Sequence, residues 1–300
     1  MRYLTDRRAA VRDDPRNLLP SARSIICVGK WYNTAWPYST RFNDVECAWI
    51  SRYAWGADYH DWMRRGLERL DALVRERAGG ALESKICVDT APLLERSYAR
   101  MAGLGWIGKN TCLIHQGGGS WFFLGELLVS IEIEPDVPPP DRCGTCTRCI
   151  DACPTAAIVP LAGHYAVDSR LCISYFTIEH RGGIPEDLRN AHGPHIFGCD
   201  ICQDVCPWNR CAPVVSDPAC QPREFTPRLA DLANLSEQEF REMFRGTPVT
   251  RARYTGFLRN VAVAMGNARR PEFRAPLEEL AARPDPVVAE HARWALDQLT

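Results

Sequence analysis

The sequence of 300 residues has no long apolar run, no excess of charge and almost no lysine. The nearest candidate for a membrane span, Trp121 to Ile133, is interrupted by Glu126 and Glu132 and is too short to cross a bilayer. The first residues lack the apolar core of a signal peptide, so the sequence predicts a cytoplasmic protein without a membrane span. A net charge of −1 excludes overall attraction to nucleic acid, so such binding would need a local basic patch.

Cysteine, in contrast, is abundant, with 14 residues. In a reducing cytoplasm, clustered cysteines bind metal more often than they form disulfides. One group, with the spacing Cys-x2-Cys-x2-Cys-x3-Cys-Pro, consists of Cys143, Cys146, Cys149 and Cys153. This is the spacing of bacterial ferredoxins, in which the fourth cysteine ligates the other cluster.

A second group supplies the partners, because Cys199-x2-Cys202-x3-Cys206-Pro207 repeats the pattern in part and Cys172 precedes it. Crossing the two groups gives two complete [4Fe–4S] ligand sets. Cluster one would take Cys143, Cys146, Cys149 and Cys206, and cluster two would take Cys153, Cys172, Cys199 and Cys202. A pair of zinc sites is the alternative, but zinc sites rarely place three cysteines at this spacing before Cys-Pro.

Composition divides the chain into three predicted domains. Residues 1–135 alternate strand-like and helix-like segments, which predicts an α/β domain with strands near 24–28, 86–88, 111–115 and 121–133 and helices near 47–78 and 93–101. Residues 136–215 hold the cysteine groups and predict a two-cluster, ferredoxin-like α+β domain. Residues 216–300 predict helices at 257–267, 273–282 and 287–299, and their proline breaks are typical of a HEAT-like helical segment.

A glycine motif, Gly103-Leu104-Gly105-Trp106-Ile107-Gly108, matches the dinucleotide-binding fingerprint. It follows a predicted helix and opens a predicted strand, whereas the fingerprint follows a strand and opens a helix. We therefore expect these glycines to permit a close approach of the backbone to another group.

Asp89 ends the predicted strand at 86–88. At the carboxyl end of a strand in an α/β fold its side chain would face a ligand crevice, where burial raises the carboxyl pKa and favours proton donation near neutral pH. A helix N-cap before the segment that starts at Leu93 is an equally good interpretation from spacing alone.

Several longer motifs follow one another along nearly the whole chain. They are Arg23-Ser24-Ile25-Ile26, Asp58-Tyr59-His60, Val88-Asp89-Thr90-Ala91-Pro92-x2-Glu95-Arg96, Ala102 to Asn110, Gly119-Ser120-Trp121-x2-Leu124-Gly125-Glu126, Arg170-x-Cys172-Ile173-Ser174-Tyr175-x-Thr177-Ile178-Glu179, and Gly198-Cys199-Asp200-x-Cys202-Gln203-x2-Cys206-Pro207-Trp208-Asn209. In this order they resemble the epoxyqueuosine reductase family.

The resemblance implies an oxidoreductase that binds cobalamin and two [4Fe–4S] clusters and completes queuosine synthesis on tRNA. The epoxide of epoxyqueuosine, at the wobble position, would be reduced to the cyclopentene of queuosine with consumption of two electrons and two protons and loss of water. It also implies attack on the substrate ring by cobalamin in its Co(I) state, while an acid protonates the departing oxygen. Asp89 resembles the family's proton donor, and the other cobalamin contacts fall on Arg12, Leu113, Leu124, Ser174, Asp200 and Ile201.

The tRNA partner would need a basic surface. Between Arg241 and Arg274 there are eight arginines and two glutamates, which predicts phosphate contacts, with a solvated helix face as the alternative. Arg181, Arg259 and Asn260 are the best tRNA candidates. We also expect a monomer that takes electrons from an external low-potential donor.

Two other functions share parts of this pattern. A reductive dehalogenase also joins cobalamin to two clusters, and a ferredoxin-like electron carrier needs the cysteines alone. The family usually has a few dozen residues before the point where this chain begins, and Met1-Arg2-Tyr3-Leu4 resembles an internal family segment. The first domain is therefore expected to be short at its N-terminus.

Overall fold

The computed structural model describes residues 9–299, so the segment Met1–Leu4 lies outside the described residues. The helices are α1 (Ala9–Asp13), α2 (Tyr59–Ala78), α3 (Glu95–Met101), α4 (Arg148–Asp151), α5 (Ile173–Ile178), α6 (Glu186–Arg189), α7 (Ile201–Asp204), α8 (Leu229–Asn234), α9 (Glu237–Met243), α10 (Arg253–Ala268), α11 (Arg274–Ala281) and α12 (Pro286–Asp297). The strands are β1 (Ser24–Trp31), β2 (Trp49–Ile50), β3 (Ser84–Cys87), β4 (Trp106–Ile107), β5 (Leu113–Ile114), β6 (Phe122–Val129), β7 (Ile158–Leu161), β8 (His164–Val167) and β9 (His195–Phe197).

The chain divides into two compact units, each built from separate stretches of sequence. The first unit contains the described residues up to Ala35 together with Asp58–Thr147 and Cys206–Ala219. The second unit contains Trp36–Ala57, Arg148–Val205 and the described residues from Cys220 onward. The division into domains at 1–135, 136–215 and 216–300 stays a prediction.

The first unit is organised around a three-stranded antiparallel sheet with the order β1-β6-β3. Successive side chains of a strand point to opposite faces, so the residues of β6 pack alternately into two apolar cores, one on each face of the sheet. Leu127 and Val129 pack with Met63 and Leu67 of α2, whereas Leu128 packs on the other face among residues that include Tyr98 of α3. The predicted alternation of strands and helices is present, and the strands that it connects are antiparallel.

The second unit is mainly helical around one large apolar core. The core includes α10, whose segment from Gly256 to Gly266 is buried along its whole length. Helices α11 and α12 add Leu277, Leu280, Val288 and Ala292 to the same core. The three predicted C-terminal helices are therefore confirmed as helices.

The segment at 47–78 differs from the prediction of one long helix or two short ones. Only α2 forms, and Asp58 caps it by accepting a hydrogen bond from the backbone N–H of His60. Trp49 and Ile50 instead form β2, which pairs in parallel with β9. The apolar residues of this stretch are buried through a pairing partner about 150 positions away, which helical periodicity cannot reveal.

The glycine motif at 103–108 lies between α3 and β4, in the predicted order. A Cβ at Gly105 would lie 2.2 Å from the carbonyl oxygen of Ile114, and one at Gly108 would lie 2.5 Å from the Ile114 side chain. The glycines therefore permit a close approach, and the group approached is the neighbouring strand β5. Within residues 9–299, no helix is long and apolar enough to span a membrane.

Candidate active site and cysteine clusters

Asp89 lies two residues beyond the end of β3, in the loop that leads to α3. Its φ angle is +45°, in the left-handed region that residues other than glycine rarely adopt, and such conformations cluster at functional sites. Helix α3 begins after Leu94 and has no side-chain N-cap. The N-cap interpretation of Asp89 is therefore wrong. Its side chain is 39% exposed, which leaves the carboxyl group accessible to a ligand.

The first turn of α2 holds the Asp89 carboxyl group. The hydroxyl of Tyr59 donates to Oδ2 of Asp89 at 2.9 Å, and Nε2 of His60 lies 3.3 Å from the same oxygen. On its other side, Nδ1 of His60 lies 2.7 Å from Oδ1 of Asp58. The hydrogen bond to Asp89 raises the pKa of His60 above its usual value, because the protonated ring can donate to both carboxylates.

Aromatic stacking fixes the position of this turn. The Tyr59 ring lies parallel to that of Phe123 on β6, with ring centres 4.5 Å apart, and it also stacks on the His60 ring at 4.2 Å. Phe123 in turn contacts Tyr32 at 4.4 Å. The Tyr59 hydroxyl is therefore held rigidly toward Asp89 by rings that pack on the sheet.

Two further carboxyl groups lie behind Asp89. Oε1 of Glu95 accepts a hydrogen bond from the backbone N–H of Asp89, and Glu95 interacts with Glu126 of β6. Burial raises the pKa of Glu95 to about 7, and the nearby charge of Asp89 adds to this rise. Burial raises the pKa of Glu126 to about 9, with a further contribution from Glu95. At neutral pH the pair therefore holds at least one proton.

The face of β6 that carries Glu126 also has a half-buried apolar strip. Beyond Glu126, toward the beginning of β6, Leu124 and Phe122 are half-buried, and Gly29 of β1, which pairs with Leu124, is exposed. A Cβ at Gly29 would lie 3.0 Å from the Phe122 ring, so the strip is flat because glycine stands there. Such a surface fits one face of a large planar ligand.

The other predicted cobalamin contacts have different degrees of exposure. In the first unit, Arg12 on α1 is half-buried and Leu113 on β5 is 4% exposed. In the second unit, Ser174 on α5 and Ile201 at the start of α7 are half-buried. These positions remain predictions.

Asp200, also in the second unit, has a buried side chain that is 1% exposed. Its carboxylate accepts hydrogen bonds from the backbone N–H of Arg52 at 2.8 Å, from the Trp49 indole at 3.3 Å and from the Ser51 hydroxyl. The side chain is committed to the protein, so a cofactor contact at this position would use backbone atoms.

In the first unit, the structure brings predicted ligands of cluster one together. Cys143 and Cys206 pack in one small cluster with Trp106 and Ile114. Lys109 fixes the first cysteine loop, since its ammonium group donates to the carbonyl oxygens of Gly144 and Cys146 at 2.8 and 2.9 Å. Lys109 lies in the segment from Ala102 to Asn110, and its role in holding the cysteine loop could not be predicted from the sequence.

The turn that follows Cys206 is held by an amide. Oδ1 of Asn209 accepts from the backbone N–H of Ser120 at 2.6 Å, and its Nδ2 donates to the Ser120 hydroxyl at 3.0 Å. A Cβ at Gly119 would lie only 2.1 Å from Asn209 Oδ1, and Gly119 has a φ of +69°, so glycine is required here. Cys149, the remaining predicted ligand, lies on α4.

The predicted ligands of cluster two all lie in the second unit. Burial raises the pKa of the Cys199 thiol well above its usual value, and the thiols of Cys172 and Cys153 add to the shift, so these three groups are neighbours. Cys202 lies on α7, three residues further along the chain. A set of four thiols is the donor chemistry that a cubane cluster needs. Among the described residues, no group of three or more His, Cys, Asp or Glu is arranged to hold a single metal ion.

Two of the predicted tRNA contacts are buried. Arg259 is 0% exposed and Asn260 is 1% exposed. The Arg259 guanidinium donates to the carbonyl oxygens of Phe176, His180 and Gly182. The structure therefore gives these side chains a structural role, which corrects the prediction that they face tRNA.

Arg181, the third candidate, is exposed. Its guanidinium donates to the carbonyl oxygens of Ala252 at 2.9 Å and Arg251 at 2.8 Å, beside the start of α10. Burial lowers the pKa of Arg181, and the positive charges of Arg253 and Arg251 contribute. An exposed group of three arginines is therefore present here.

Comparison with known proteins agrees with this architecture. Residues 142–209 match the family model described as "4Fe-4S double cluster binding domain", and residues 12–90 match "Epoxyqueuosine reductase QueG, DUF1730". Epoxyqueuosine reductase from Xanthomonas campestris is 43% identical over 295 residues, covering 96% of this chain and 81% of that protein.

Solved structures give the same result. An epoxyqueuosine reductase crystallised with an epoxyqueuosine-modified tRNA-Tyr stem loop has a TM-score of 0.86 at 32% identity, covering 95% of this chain and 76% of that one. The Bacillus subtilis enzyme, with its catalytic aspartate loop swung out of the active site, has a TM-score of 0.87 at 31% identity, covering 97% and 77%.

The fold and the cysteines define an iron–sulfur oxidoreductase with a double-cluster domain. The chain belongs to the epoxyqueuosine reductase family.

Sequence reasoning gave no role to Tyr59, His60, Glu95 or Glu126, although all four stand in the quoted motifs. For Tyr59 and His60 the sequence did contain a usable signal. Asp58 is a typical helix N-cap residue, so the two residues after it are expected on the first turn of a helix. No such signal existed for Glu126, whose burial depends on strands β1 and β3.

Proposed function

We propose that this protein reduces epoxyqueuosine in tRNA to queuosine, using cobalamin and two [4Fe–4S] clusters, with Asp89 as the proton donor. The observation that carries the proposal is the accessible Asp89 carboxyl group, held by Tyr59 and His60. The apolar strip at Leu124 would contact the corrin of cobalamin, and Asp89 would supply the proton to the departing oxygen. When bound, cobalamin would supply a two-electron nucleophile at its cobalt centre.

The proton chemistry follows from the side chains around Asp89. With Nδ1–H of His60 donating to Asp58, a protonated His60 also donates through Nε2–H to Oδ2 of Asp89. After Asp89 gives its own proton to the departing oxygen, the protonated His60 would stabilise the carboxylate that remains and could pass its Nε2 proton to Oδ2. The Tyr59 hydroxyl donates to the same Oδ2 and fixes the orientation of the carboxyl group. His60 therefore orients Asp89 and supports its reprotonation.

The clusters would be held by the crossed ligand sets, Cys143, Cys146, Cys149 and Cys206 for the first and Cys153, Cys172, Cys199 and Cys202 for the second. The contact between Cys143 and Cys206 supports this crossing, because Cys206 is closer in sequence to the ligands of the second set. Replacing Cys206 with serine should remove the first cluster and leave the second. Loss of the second cluster alone, detected by electron paramagnetic resonance, would disprove the crossing.

The tRNA would bind through basic residues of the C-terminal helical segment, which we propose to be HEAT-like. Seven of the eight arginines between Arg241 and Arg274 are exposed, the exception being Arg259. An external low-potential electron donor, a monomeric state and a cytoplasmic location complete the proposal, and these three parts rest on the sequence.

The test is anaerobic reconstitution with iron, sulfide and cobalamin, followed by metal analysis and turnover of epoxyqueuosine-containing tRNA. About eight irons and one cobalt per chain are expected, together with queuosine formation. Asp89→Asn should keep both cofactor types and lose turnover by roughly 100-fold or more. Cobalamin binding without queuosine formation by the unmodified protein would reject the proposed reaction, and full activity of Asp89→Asn would reject the proton donor.

A further inference from the structure

We propose that Glu95 and Glu126 act as a proton-sharing pair that latches the Asp89 loop in its active conformation, with Glu95 accepting the backbone N–H of Asp89. This inference rests on the proposed role of Asp89 as proton donor. Glu95 and Glu126 touch neither substrate nor cofactor in it, so they are positioning residues. The latch connects the loop to the centre of the sheet.

The first observation is the burial of Glu126. Its side chain is 0% exposed on the central strand β6, between Cys27 of β1 and Cys87 of β3. Neither of its carboxyl oxygens meets an N–H or hydroxyl donor. Ionising an uncompensated carboxyl group in such a place is costly, so Glu126 keeps its proton and can donate it to Glu95.

The second observation is the position of Glu95 as the first residue of α3. It faces the loop on one side, where it accepts the Asp89 N–H, and Glu126 on the other. The titratable groups around the pair are Asp89 of the loop, His60 of α2, Cys27 of β1 and Cys87 of β3. Burial raises the pKa of Cys27 to about 12 and that of Cys87 to about 11, so both thiols are neutral, and Asp89 and His60 are the neighbours that can carry charge.

The third observation is the conformation that the latch holds. With a φ of +45°, Asp89 needs an external contact to stay in the left-handed region, because this conformation costs about 1 kcal/mol or more for a residue with a Cβ. An ionised Glu95 accepts the Asp89 N–H more strongly than a protonated one. Protonation of Glu95, whose pKa is raised to about 7, therefore weakens the latch just below neutral pH.

The inference explains why an acidic pair lies behind an acidic catalytic group. A lysine or arginine there would lower the pKa of Asp89 and keep it ionised, which would oppose proton donation. An anionic acceptor fixes the loop without placing a cation beside Asp89. Glu126 makes this possible by supplying a neutral donor to Glu95 inside the sheet.

The test compares Glu126→Gln, Glu95→Gln and Glu95→Ala with the exposed control Glu68→Gln on α2. Glu126→Gln keeps a neutral donor to Glu95 that cannot ionise, so the acid limb of the kcat profile should stay where it is in the unmodified protein, and a shift of about one unit or more would show that Glu126 does not hold the proton. Glu95→Gln keeps a hydrogen-bond acceptor for the Asp89 N–H, and this acceptor cannot titrate. The fall in kcat at acid pH that protonation of Glu95 causes should therefore disappear. Glu95→Ala removes the acceptor and should lower kcat by about 10-fold or more, with KM for tRNA little changed.

A second readout does not depend on turnover. Hydrogen exchange of the peptide covering residues 88–94, corrected for the intrinsic pH dependence, should show protection that increases as the pH rises through about 7 in the unmodified protein. Glu95→Ala should lose this protection at every pH, and Glu68→Gln should keep it. Failure of queuosine formation with an intact exchange profile would reject the proposed function and leave the latch in place. Unaltered pH profiles and unaltered exchange in the two Glu95 variants would overturn the latch.

Discussion

The two units bury charged side chains in opposite ways. In the first unit, Glu95 and Glu126 lie together without an arginine or lysine hydrogen bond, and burial raises the pKa of each. In the second unit, Arg259 is buried, and its guanidinium donates to carbonyl oxygens that include Oδ1 of Asn260 at 2.9 Å and the backbone oxygen of Gly182 at 2.7 Å. Burial lowers the pKa of Arg259 to about 10, so it stays protonated at neutral pH.

The difference separates a group that responds to pH from one that only stabilises the fold. A buried charge with a full set of hydrogen-bond partners keeps its charge, whereas a buried acid without a cation changes its protonation near physiological pH. Asn260 completes the arginine site by donating to the carbonyl oxygens of Thr177 and Ile196 at 2.9 and 2.8 Å. Within the described part of the chain, Glu95 and Glu126 have no neighbouring amide that plays the part of Asn260, and Glu95 contacts Asp89, the candidate proton donor.

The largest effect is expected where the buried arginine is removed. Arg259→Met leaves the carbonyl oxygens of Phe176, His180 and Gly182 without their donor, so it should destabilise the protein by about 3 kcal/mol or more. The unfolding midpoint of the reconstituted protein in denaturant measures this loss. Arg274→Met, at an exposed position of α11, is the control and should change stability by about 0.5 kcal/mol at most. Equal midpoints for the two variants would contradict the structural role of Arg259.

A smaller and pH-dependent effect is expected for Glu126→Gln. The folded-state pKa of Glu126 is about 9 and the ordinary value is 4.5, so its protonated form is favoured in the folded protein. The stability that this provides is complete below pH 4.5 and is lost as the pH rises through about 9. Glu126→Gln cannot ionise and should gain about 1–3 kcal/mol relative to the unmodified protein between about pH 5 and 9.

The measurement is the denaturation midpoint at several pH values, with Glu68→Gln as the matched exposed control. The control should follow the unmodified protein at every pH. A parallel pH dependence for Glu126→Gln and the unmodified protein would show that Glu126 does not carry the proton assigned to it.

The sequence predicted best what depends on neighbours in the chain. Cysteine spacing pointed to the double-cluster domain, and helical periodicity located α10, α11 and α12 to within a few residues. In both cases the informative residues lie within a few positions of one another. The order of elements around the glycine motif, a helix before it and a strand after it, was predicted correctly for the same reason.

What the sequence could not give depends on contacts between distant segments. Glu126 served only as a charge that breaks an apolar run, because its burial depends on Cys27 and Cys87, which are about 100 and 40 positions away. Arg259 was counted in a basic patch, because its acceptors lie about 80 positions earlier in the chain. A count of charges cannot distinguish an exposed arginine from one that binds carbonyl oxygens.

A still smaller effect is expected at His60, which lies between Asp58 and Asp89. Its folded-state pKa is raised above 6.5, so it stabilises the protein fully below that pH and less as the pH rises through the folded value. His60→Gln should therefore lose stability mainly at acid pH, by less than about 1 kcal/mol because the ring is partly exposed. His164→Gln, at an exposed position of β8, is the control. A loss for His60→Gln that is the same at acid and alkaline pH would contradict the protonated pairing.

The smallest effect concerns the exposed counterpart of Arg259. Arg181 also donates to backbone carbonyl oxygens, but its exposed position leaves its charge available to phosphate. Arg181→Gln should weaken tRNA binding by a few-fold and lower the slope of log affinity against log salt by about 1. The slope is measured by titrating the stem loop at several salt concentrations, with Arg77→Gln at the exposed end of α2 as the control. An unchanged slope would mean that Arg181, like Arg259, binds only the protein's own carbonyl oxygens.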